Sequence, residues 1–344
     1  LSGCGSGCSF LVLNDIHGKA DVLTRLCKRV DFSELGFVAF NGDMSSSVES
    51  GEQLFKDYLD ASAALFAAGT PILFTRGNHE TRGVFADSLG DYFPGRDGRF
   101  YGIYRYGDVC ILLLDCGEDK PDDHAEYNGL ADYDAYRAEE CAWLKKAVRS
   151  EEFLTASARI VLLHIPPAAG AWHGSVHLNE LFVPVLNEAG IDLMLCGHDH
   201  RYSFHPAGER DAKFPIVVND NRSCVRCDVA DSLIRVRIAG PRDKTVHTHE
   251  FPLKHNFNHN LNQYEETLFF AVRRRSVVRG LGAGPEVNIV PKPLSVTPGA
   301  GTFTVTASTV IGVGKNAELR RSARIFAGEV APVVGGVMKT AAAV

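Results

Sequence analysis

The chain has 344 residues, of which 45% are hydrophobic and 23% are charged, and its formal net charge at pH 7 is −6. This composition is ordinary for a globular protein, and the acidic balance does not favour general binding to nucleic acid or to a membrane surface. No apolar run reaches the roughly 18–20 residues that a membrane-spanning helix needs.

The N-terminal segment, residues 1–8, has two interpretations. Leu1-Ser2-Gly3-Cys4 resembles the lipobox of a bacterial lipoprotein, in which Cys4 would carry a lipid anchor. The alternative is a leader remnant rich in Gly, Ser and Cys that has no function. A tetrapeptide carries too little information to separate the two.

The first predicted strand, residues 10–13, is apolar and ends at Asn14-Asp15-Ile16-His17. Asp15 and His17 are two residues apart, so on an extended strand end their side chains point to the same side. A carboxylate and an imidazole placed in this way can bind a metal ion. An Asp-x-His triplet also arises by chance, with the Asp capping a turn, so the interpretation depends on the other strands.

Four more apolar runs end in the same kind of residue. The runs at 37–40, 71–75, 160–163 and 191–196 are followed by possible metal ligands, namely Asp43, Asn78, His79, His164, His198 and His200. Helices predicted over 19–30 and 49–68 separate the first three strands. This alternation favours a mostly parallel sheet, which places strand ends and ligands at one edge.

The middle of the chain predicts a hairpin over 101–106 and 109–115 and a helix over 134–149. The acidic segment 117–133 is either a solvated surface or a loop that lines the site. Residues 166–177, with Trp172, His173 and His177, are expected to form a loop over the site, followed by a helix over 178–189. Strands at 201–205, 214–219, 223–229, 232–239 and 245–251, with short turns between them, predict an antiparallel second sheet.

Most of the nine cysteines are expected to be small core residues. Cys110, Cys116, Cys141 and Cys196 lie in or beside apolar segments. Cys224 and Cys227 form a Cys-x-x-Cys pair, but no second pair has the spacing of a zinc site. We therefore expect both to lie in a strand and its turn, with a redox role as the alternative.

Eight candidate ligands are too many for one tetrahedral zinc ion, and they suit two adjacent metal ions that share a carboxylate. Nitrogen and oxygen ligands without thiolate favour Mn, Fe, Zn or Co. Two such ions, ~3.5–4 Å apart, activate a bridging water and neutralise charge on a phosphoryl group. The residues thus predict two divalent metal ions, of open identity, and a phosphoryl substrate.

The complete series resembles the calcineurin-like metallophosphoesterase superfamily over residues 9–252. It consists of Asp15-x-His17, Gly42-Asp43, Gly77-Asn78-His79-Glu80, His164 and Gly197-His198-x-His200. The resemblance implies an α/β fold, a four-layer αββα sandwich of two mixed sheets with the dinuclear site at strand ends. It implies that one metal ion is bound by Asp15, His17, Asp43 and His200. The other ion takes Asp43, Asn78, His164 and His198, so that Asp43 bridges, while His79 contacts the phosphate and assists the leaving group.

The predicted function is hydrolysis of a phosphomonoester or phosphodiester by a metal-bound hydroxide, with a small phosphorylated substrate. Arg76, Arg82 and His173 are candidates for substrate contact, although an arginine beside a turn is more often an ion-pair partner. One alternative is an envelope lipoprotein in which the metal site is structural. The natural substrate is not predicted.

The C-terminal tail carries a second resemblance. Residues 287–296 and 301–305 are similar to the N-terminal accessory domain of family 20 β-N-acetylhexosaminidases, over 286–344. The chain ends before a catalytic carboxylate pair, so no hexosaminidase activity is expected, and a glycosidase-linked fragment is the other alternative.

We thus expect a phosphoesterase domain at 9–254, a linker at 255–285 and a partial α+β module at 286–344. The lipobox and the tail together favour a bacterial envelope or periplasmic location, with the cytoplasm as the alternative.

Overall fold

The computed structural model describes residues 7–230, 232–241, 244–254, 310–313 and 339–342. By contacts the chain divides into two units, Leu1–Glu265 and Glu266–Val344. The possible lipobox at residues 1–4 and the linker at 255–285 lie outside the described residues. Among the residues described, no helix combines the length and the apolar character needed to cross a membrane.

The first sheet of the larger unit is mixed. The strands are β1 (Cys8–Leu13), β2 (Phe37–Asn41), β3 (Ile72–Thr75), β10 (Cys224–Ala230), β11 (Leu233–Gly240) and β12 (Lys244–Pro252). Their order across the sheet is β12-β11-β10-β1-β2-β3. The pairs β1–β2 and β2–β3 are parallel, whereas β10 runs antiparallel to β1. The predicted alternation of the first 80 residues is therefore confirmed.

The second sheet is also mixed, in the order β4-β5-β6-β7-β9-β8. The strands are β4 (Gly102–Tyr106), β5 (Val109–Leu114), β6 (Ala158–Leu163), β7 (Leu193–Cys196), β8 (Ser203–His205) and β9 (Ile216–Val218). Strands β4 and β5 form the predicted hairpin, and β5–β6, β6–β7 and β7–β9 are parallel pairs. These two mixed sheets confirm the predicted fold class.

The expectation that the strands after residue 200 form a separate antiparallel sheet is wrong. Strands β8 and β9 extend the second sheet beside β7, and strands β10 to β12 extend the first sheet beside β1. Strand β10 is buried along most of its length because it lies between β1 and β11. Cys224 and Cys227 are buried in this strand, as the strand interpretation expects.

Helices cover the outer faces of both sheets. They are α1 (Ala20–Cys27), α2 (residues 51–67), α3 (Leu89–Tyr92), α4 (Tyr133–Ala147), α5 (Glu151–Leu154) and α6 (His173–Ala189). Helix α2 runs through Gly51–Leu54, Phe55–Leu59, Asp60–Ser62 and Ala63–Ala67, and two of these segments are π-helical. Short 3-10 turns lie at Phe32–Glu34, His79–Thr81, Ala86–Ser88, Arg96–Gly98 and Ala125–Tyr127.

The side-chain alternation of the strands produces the four layers. Phe10 and Val12 of β1 point between the sheets, where they join residues such as Leu162 of β6. Leu11 and Leu13 point to the other face and pack with α1 and α2. The second sheet has its own outer cluster, packed with α4 and α6. The central strands β1, β2, β5 and β6 are therefore buried on two faces, which explains why they are almost continuously apolar.

The smaller unit contributes two described strands, β13 (Val310–Val313) and β14 (Lys339–Ala342), which pair in parallel. The remainder of the predicted hexosaminidase-like module at 286–344 lies outside the described residues. The hexosaminidase-like module and the envelope location therefore stay predictions.

A substitution between the sheets tests the predicted packing. We expect Leu162→Ala to lower the free energy of unfolding by about 2–5 kcal/mol, because it leaves a cavity between two packed sheets. Val246→Ala on the exposed edge strand β12 is the matched control and should cost less than about 0.5 kcal/mol. Urea unfolding of both variants measures this, and equal losses would contradict the assignment of the inter-sheet core.

Candidate metal centre

The carboxyl ends of five strands from both sheets meet at one edge of the sandwich. Asp15 follows β1, Asp43 follows β2, Asn78 follows β3, His164 follows β6 and His198 follows β7. The ligand atoms form three overlapping groups, within each of which they lie within 4.8 Å of one another. These groups are Asp15–His17–His200, His17–Asp43–His79 and Asp43–His164–His198. The structure therefore brings together the candidates that the sequence places on separate strands.

The turns that carry these residues have an unusual backbone. Asp15, His17, Asp43, His198 and His200 all have a positive φ, between 50° and 71°. Non-glycine residues rarely adopt this left-handed conformation, and such strain is concentrated at functional sites. The abrupt change from strand to left-handed turn directs the side chains of these residues into the common site.

Backbone hydrogen bonds tie the turn after β1 to the turn after β2. The N–H of Asp15 donates to the carbonyl of Gly42 at 3.1 Å, and the N–H of His17 donates to the carbonyl of Asp43 at 2.9 Å. Gly42 has a φ of 83°, and a Cβ there would lie 2.5 Å from the ring of His164. Only glycine permits both this backbone conformation and this close approach of the ring.

Asp43 is at the centre of the site, and its side chain is 2% exposed. Its Oδ2 lies 3.0 Å from Nε2 of His164, 3.9 Å from Nε2 of His17 and 4.0 Å from Nε2 of His79. Its Oδ1 accepts a hydrogen bond from the backbone N–H of His79 at 3.0 Å. One carboxylate oxygen is thus fixed by the protein, while the other faces three imidazoles.

Asp15 is oriented in a similar way. Its Oδ2 accepts hydrogen bonds from the amide of Asn14 at 2.6 Å and from the backbone N–H of His198 at 3.0 Å. Its Oδ1 lies 3.1 Å from Nε2 of His200 and 3.8 Å from Nε2 of His17. The amide of Asn219 in turn donates to Asn14 at 2.9 Å. This buried chain of amides holds Oδ1 of Asp15 toward the centre.

His164 directs one ring nitrogen into the site. Its Nδ1 lies 2.8 Å from the carbonyl of Asn41, and because a carbonyl only accepts, Nδ1 carries a proton. Nε2 is then the nitrogen that points at Asp43, and it offers a lone pair to a cation once its own proton is lost. Within the described residues, both Nε2 of His164 and Oδ1 of Asp15 are buried atoms without a hydrogen-bond partner. Two such orphaned atoms facing a cluster of imidazoles fit the ligands of a cation.

The burial of these side chains and their contacts with one another shift the pKa values of the histidines and aspartates of the centre. Burial lowers the pKa of His17 and of His198, so both rings tend to be neutral. At His164 burial acts in the same direction, but the carboxylates of Asp43 and Asp15 outweigh it and raise the pKa to about 10. Burial opposes the charged forms of Asp15 and Asp43, yet the neighbouring imidazoles, His164 foremost, hold the pKa of both carboxyls below its ordinary range. The two carboxylates therefore require nearby positive charge.

Asn78 and His198 contact each other, and His198 belongs to the ligand group of Asp43 and His164. Nδ1 of His198 lies 3.1 Å from Oδ1 of Asn78. Asn78 is buried, whereas His198 is half-buried. Their position beside Asp43 and His164 allows an amide oxygen and two imidazoles to face the same point.

Glu80 supports the centre, and sequence analysis assigns it no role. It is fully buried, and its carboxylate accepts hydrogen bonds from the backbone N–H groups of Asp43 at 2.7 Å, Ser45 at 2.9 Å and Gly77 at 2.8 Å. Burial, followed by the charge of Asp43, raises its pKa to about 7. Its position in the Gly-Asn-His-Glu motif is visible in the sequence, but the N–H groups it reaches become evident only when the turns are folded together.

The structure gives Arg76 and Arg82 carboxylate partners. The buried guanidinium of Arg76 lies 2.6 Å from Asp115 and stacks on Phe100, with its Cζ 4.2 Å from the ring centre. The guanidinium of Arg82 forms two hydrogen bonds of 2.7 Å with Glu118. A substrate phosphate would have to compete with these carboxylates, so the structure does not favour either arginine as a phosphate clamp.

His173 lies at the start of α6 rather than in a loop, so the predicted helix start at 178 is wrong by five residues. Nε2 of His173 lies 2.8 Å from Asp134, and Nδ1 of His177 lies 3.1 Å from the same carboxylate. Arg137 donates to both Asp134 and His177. This group fixes α6 to α4, and it holds His173 to a carboxylate.

The buried carboxylate of Glu80 gives a test of the turn geometry. We expect Glu80→Gln to lower the free energy of unfolding by about 1–3 kcal/mol, because the amide would face a backbone N–H that then loses its acceptor. Glu52→Gln, on the first turn of α2, is the matched control and should be close to neutral. Thermal unfolding measures both, and an unchanged stability of Glu80→Gln would contradict the three-hydrogen-bond arrangement.

Comparisons with known proteins agree with this geometry. A family model described as calcineurin-like phosphoesterase matches residues 8–202. No curated protein matches the sequence at the significance threshold of the search.

Several solved structures are similar to the chain. They include a predicted phosphoesterase from Streptococcus pneumoniae, with 14% identity, coverage of 72% of this chain and 99% of that chain, and a TM-score of 0.34. The protein TT1561 of Thermus thermophilus has 13% identity, coverage of 70% and 97%, and a TM-score of 0.40. The sulfate thiohydrolase SoxB of Thermus thermophilus has 16% identity, coverage of 80% and 62%, and a TM-score of 0.42. These likenesses are weak, and the family model carries the assignment.

The matched region contains β1 to β7 and every strand end that contributes to the centre. It spans more than half of the chain, and the site it encloses has the carboxylate, amide and imidazole ligands that divalent metal ions take. The chain belongs to the calcineurin-like phosphoesterase family and is a metal-dependent hydrolase of phosphoric esters that acts on small phosphorylated substrates.

Proposed function

We propose that the centre binds two divalent metal ions and hydrolyses a phosphomonoester or a phosphodiester. The observation that carries this proposal is the position of Asp43, whose carboxylate belongs to two of the three ligand groups. A carboxylate shared in this way is suited to bridge two ions. The donor set of nitrogen and oxygen atoms fits Mn, Fe or Zn.

The proposed ligands divide into two sets that share Asp43. The first consists of Asp15, His17, Asp43 and His200, and the second consists of Asp43, Asn78, His164 and His198. The first set is supported by the distance of 3.1 Å between Nε2 of His200 and Oδ1 of Asp15. The second is supported by the distance of 3.0 Å between Nε2 of His164 and Oδ2 of Asp43. When bound, two such ions supply hydroxide near neutral pH and neutralise charge on the phosphoryl group.

His79 is proposed to act on the substrate rather than as a ligand. Its Nδ1 lies 2.7 Å from the carbonyl of Ser46 and therefore carries a proton, which leaves Nε2 to face the site. Its backbone N–H is bonded to Asp43, so the ring is held beside the proposed bridging carboxylate. Hydroxide adds to phosphorus as the P–O bond to the leaving group breaks, and His79, when it is protonated on both ring nitrogens, would pass the proton of Nε2 to the departing oxygen.

A purely structural metal site is disfavoured by the exposure of the imidazoles. The side chains of His79 and His200 are 29% and 45% exposed, respectively. Structural sites are usually closed by protein ligands, whereas catalytic sites keep an open position. The open face of this centre supports access for substrate.

We also propose that residues 9–254 form the catalytic domain and that 255–285 form a linker. The proposal for 9–254 is supported by the contribution of β10 to β12 to the first sheet, since these strands lie beyond the matched region.

Two substitutions separate the roles of His79 and Asp43. We expect His79→Asn to retain two metal ions but to lower kcat on 4-nitrophenyl phosphate about 100- to 10,000-fold, because the proton donor is lost. Asp43→Asn should lower the metal content below two per chain. His124→Asn, at an exposed turn, is the control and should retain both metal and activity. The same assay on bis(4-nitrophenyl) phosphate gives the diester preference, and full activity of metal-free wild type would overturn the proposal.

Metal binding should release protons. In the metal-free protein the pKa of His164 is raised to about 10, so its ring is protonated at pH 7 and must lose that proton to bind a metal ion. We expect release of at least about one proton per chain at pH 7, because the hydrogen bond to Asp15 also raises the pKa of His200 and formation of hydroxide from water releases a further proton. Affinity should accordingly rise with pH up to about 10. Calorimetric titration in buffers of different ionisation enthalpy measures the number, and a value of zero would contradict the protonated state of His164.

A further inference from the structure

A cavity of about 350 Å³ lies beside the metal centre. Its lining includes His198, which the proposed function assigns as a metal ligand, together with Trp172 and Arg210. Residues 117–133 and 166–177, which sequence analysis singles out as possible site loops, contribute Asp119 and Pro166. A phosphoester whose phosphorus lies at the centre could extend its leaving group into this cavity.

The walls of the cavity are joined by hydrogen bonds. The N–H of Gly174 at the start of α6 donates to the carbonyl of Asp119 at 2.9 Å, and the hydroxyl of Ser175 donates to the carbonyl of Pro166 at 2.8 Å. Next in the chain to the lining residue Arg210, Asp211 accepts a hydrogen bond from the amide of Asn179 at 3.1 Å. The cavity is therefore a preformed feature of the fold rather than a gap between independent loops.

Trp172 offers an aromatic surface in this cavity. It immediately precedes α6 and is 59% exposed, although it is a large apolar residue. The ammonium of Lys120 lies 5.5 Å from the centre of its ring, and that ammonium is itself held by Asp119 and Glu126 at 3.1 Å each. The indole is thus positioned by its neighbours while much of its surface stays open to a planar ligand.

Arg210 offers a guanidinium in the same cavity. In the described part of the chain it has no carboxylate within 4.0 Å, in contrast to Arg76 and Arg82. It is half-buried, its backbone is left-handed with a φ of 49°, and Asp211 beside it has a φ of 61°. A half-buried guanidinium without a carboxylate partner is suited to bind an anionic group of a ligand.

We propose that this cavity is the leaving-group subsite, and that it selects phosphoesters whose leaving group is a planar aromatic ring bearing an anionic substituent. The ring stacks on Trp172 and the anion pairs with Arg210. Asp119 and Asp199 also line the cavity, and their carboxylates disfavour an anion beside them, so Arg210 is the lining residue that suits the anionic substituent. The inference rests on the proposed phosphoesterase function, and the experiments below separate the two.

The first experiment compares three phosphomonoesters: 4-carboxyphenyl phosphate, phenyl phosphate and glycerol phosphate. We expect Trp172→Ala to lower the ratio of ring to glycerol kcat/KM about 10-fold, whereas Trp172→Phe should keep it within about 3-fold. Arg210→Gln should lower kcat/KM about 10-fold for the carboxyphenyl ester relative to the phenyl ester. Leu130→Ala, at a position 89% exposed and outside the cavity lining, is the control and should change neither ratio. Unchanged ratios in Trp172→Ala and Arg210→Gln would overturn the subsite.

The second experiment measures binding without catalysis. The chain has two tryptophans, so Trp143→Phe isolates the fluorescence of Trp172. We expect 4-hydroxybenzoate, the ring product, to quench this fluorescence with a Kd that rises about 10-fold in Arg210→Gln. Absence of quenching would overturn the subsite even if all three esters are hydrolysed. Quenching without hydrolysis of any ester by metal-loaded protein would overturn the proposed function but leave the ring site in place.

Discussion

The buried carboxylate of Asp43 is the group on which the rest of the centre depends. It lies between His17, His79 and His164, and the carboxylates of Asp15 and Glu80 are close by. Three buried carboxylates in one site would repel one another strongly without positive charge. In the metal-free protein the protonated imidazole of His164 provides such charge, and the divalent metal ions that the family assignment implies would supply it when bound.

The fold supplies the rigidity that this arrangement requires. Left-handed backbone at Asp15, His17, Asp43, His198 and His200 is unfavourable in each turn taken alone. Each turn follows a strand that is buried on both faces, and the turns after β1 and β2 are bonded to each other. Packing of two sheets and four layers therefore stabilises turns that would not keep this conformation by themselves.

The convergence of the candidate ligands could be predicted from the sequence because each follows an apolar run, and parallel strands bring such positions to one edge. The division of the later strands could not be predicted. β8 and β9 join one sheet and β10 to β12 join the other, yet their local sequences have the same short, turn-separated pattern. Sheet membership is decided by neighbours distant in the chain, namely β7 for β9 and β1 for β10.

The supporting residues were also beyond sequence analysis, for a related reason. Glu80 is recognised by three N–H groups from two different turns, and Asn14 orients Asp15 only because Asn219 of another strand end holds it. Such contacts depend on how separate turns meet, which residue type and spacing do not specify. At His173 the sequence analysis predicts a loop where the structure has a helix. The helix start is missed because Trp172, which precedes it, is not a residue type that usually caps a helix.

The arginines near the centre differ in what they bind, and this difference bears on which of them is free to bind substrate. Arg82 binds Glu118 and Asp119, and Arg137 donates to the carbonyls of Cys116 and Glu118, so both arginines fix the acidic segment beside the His79 turn. Their charge is used to hold a loop that would otherwise repel the carboxylates of the site and an anionic substrate. Under the proposed function the phosphoryl group is left to the metal centre and His79, and under the proposed subsite Arg210, which lines the same cavity as His198, keeps a guanidinium for the leaving group.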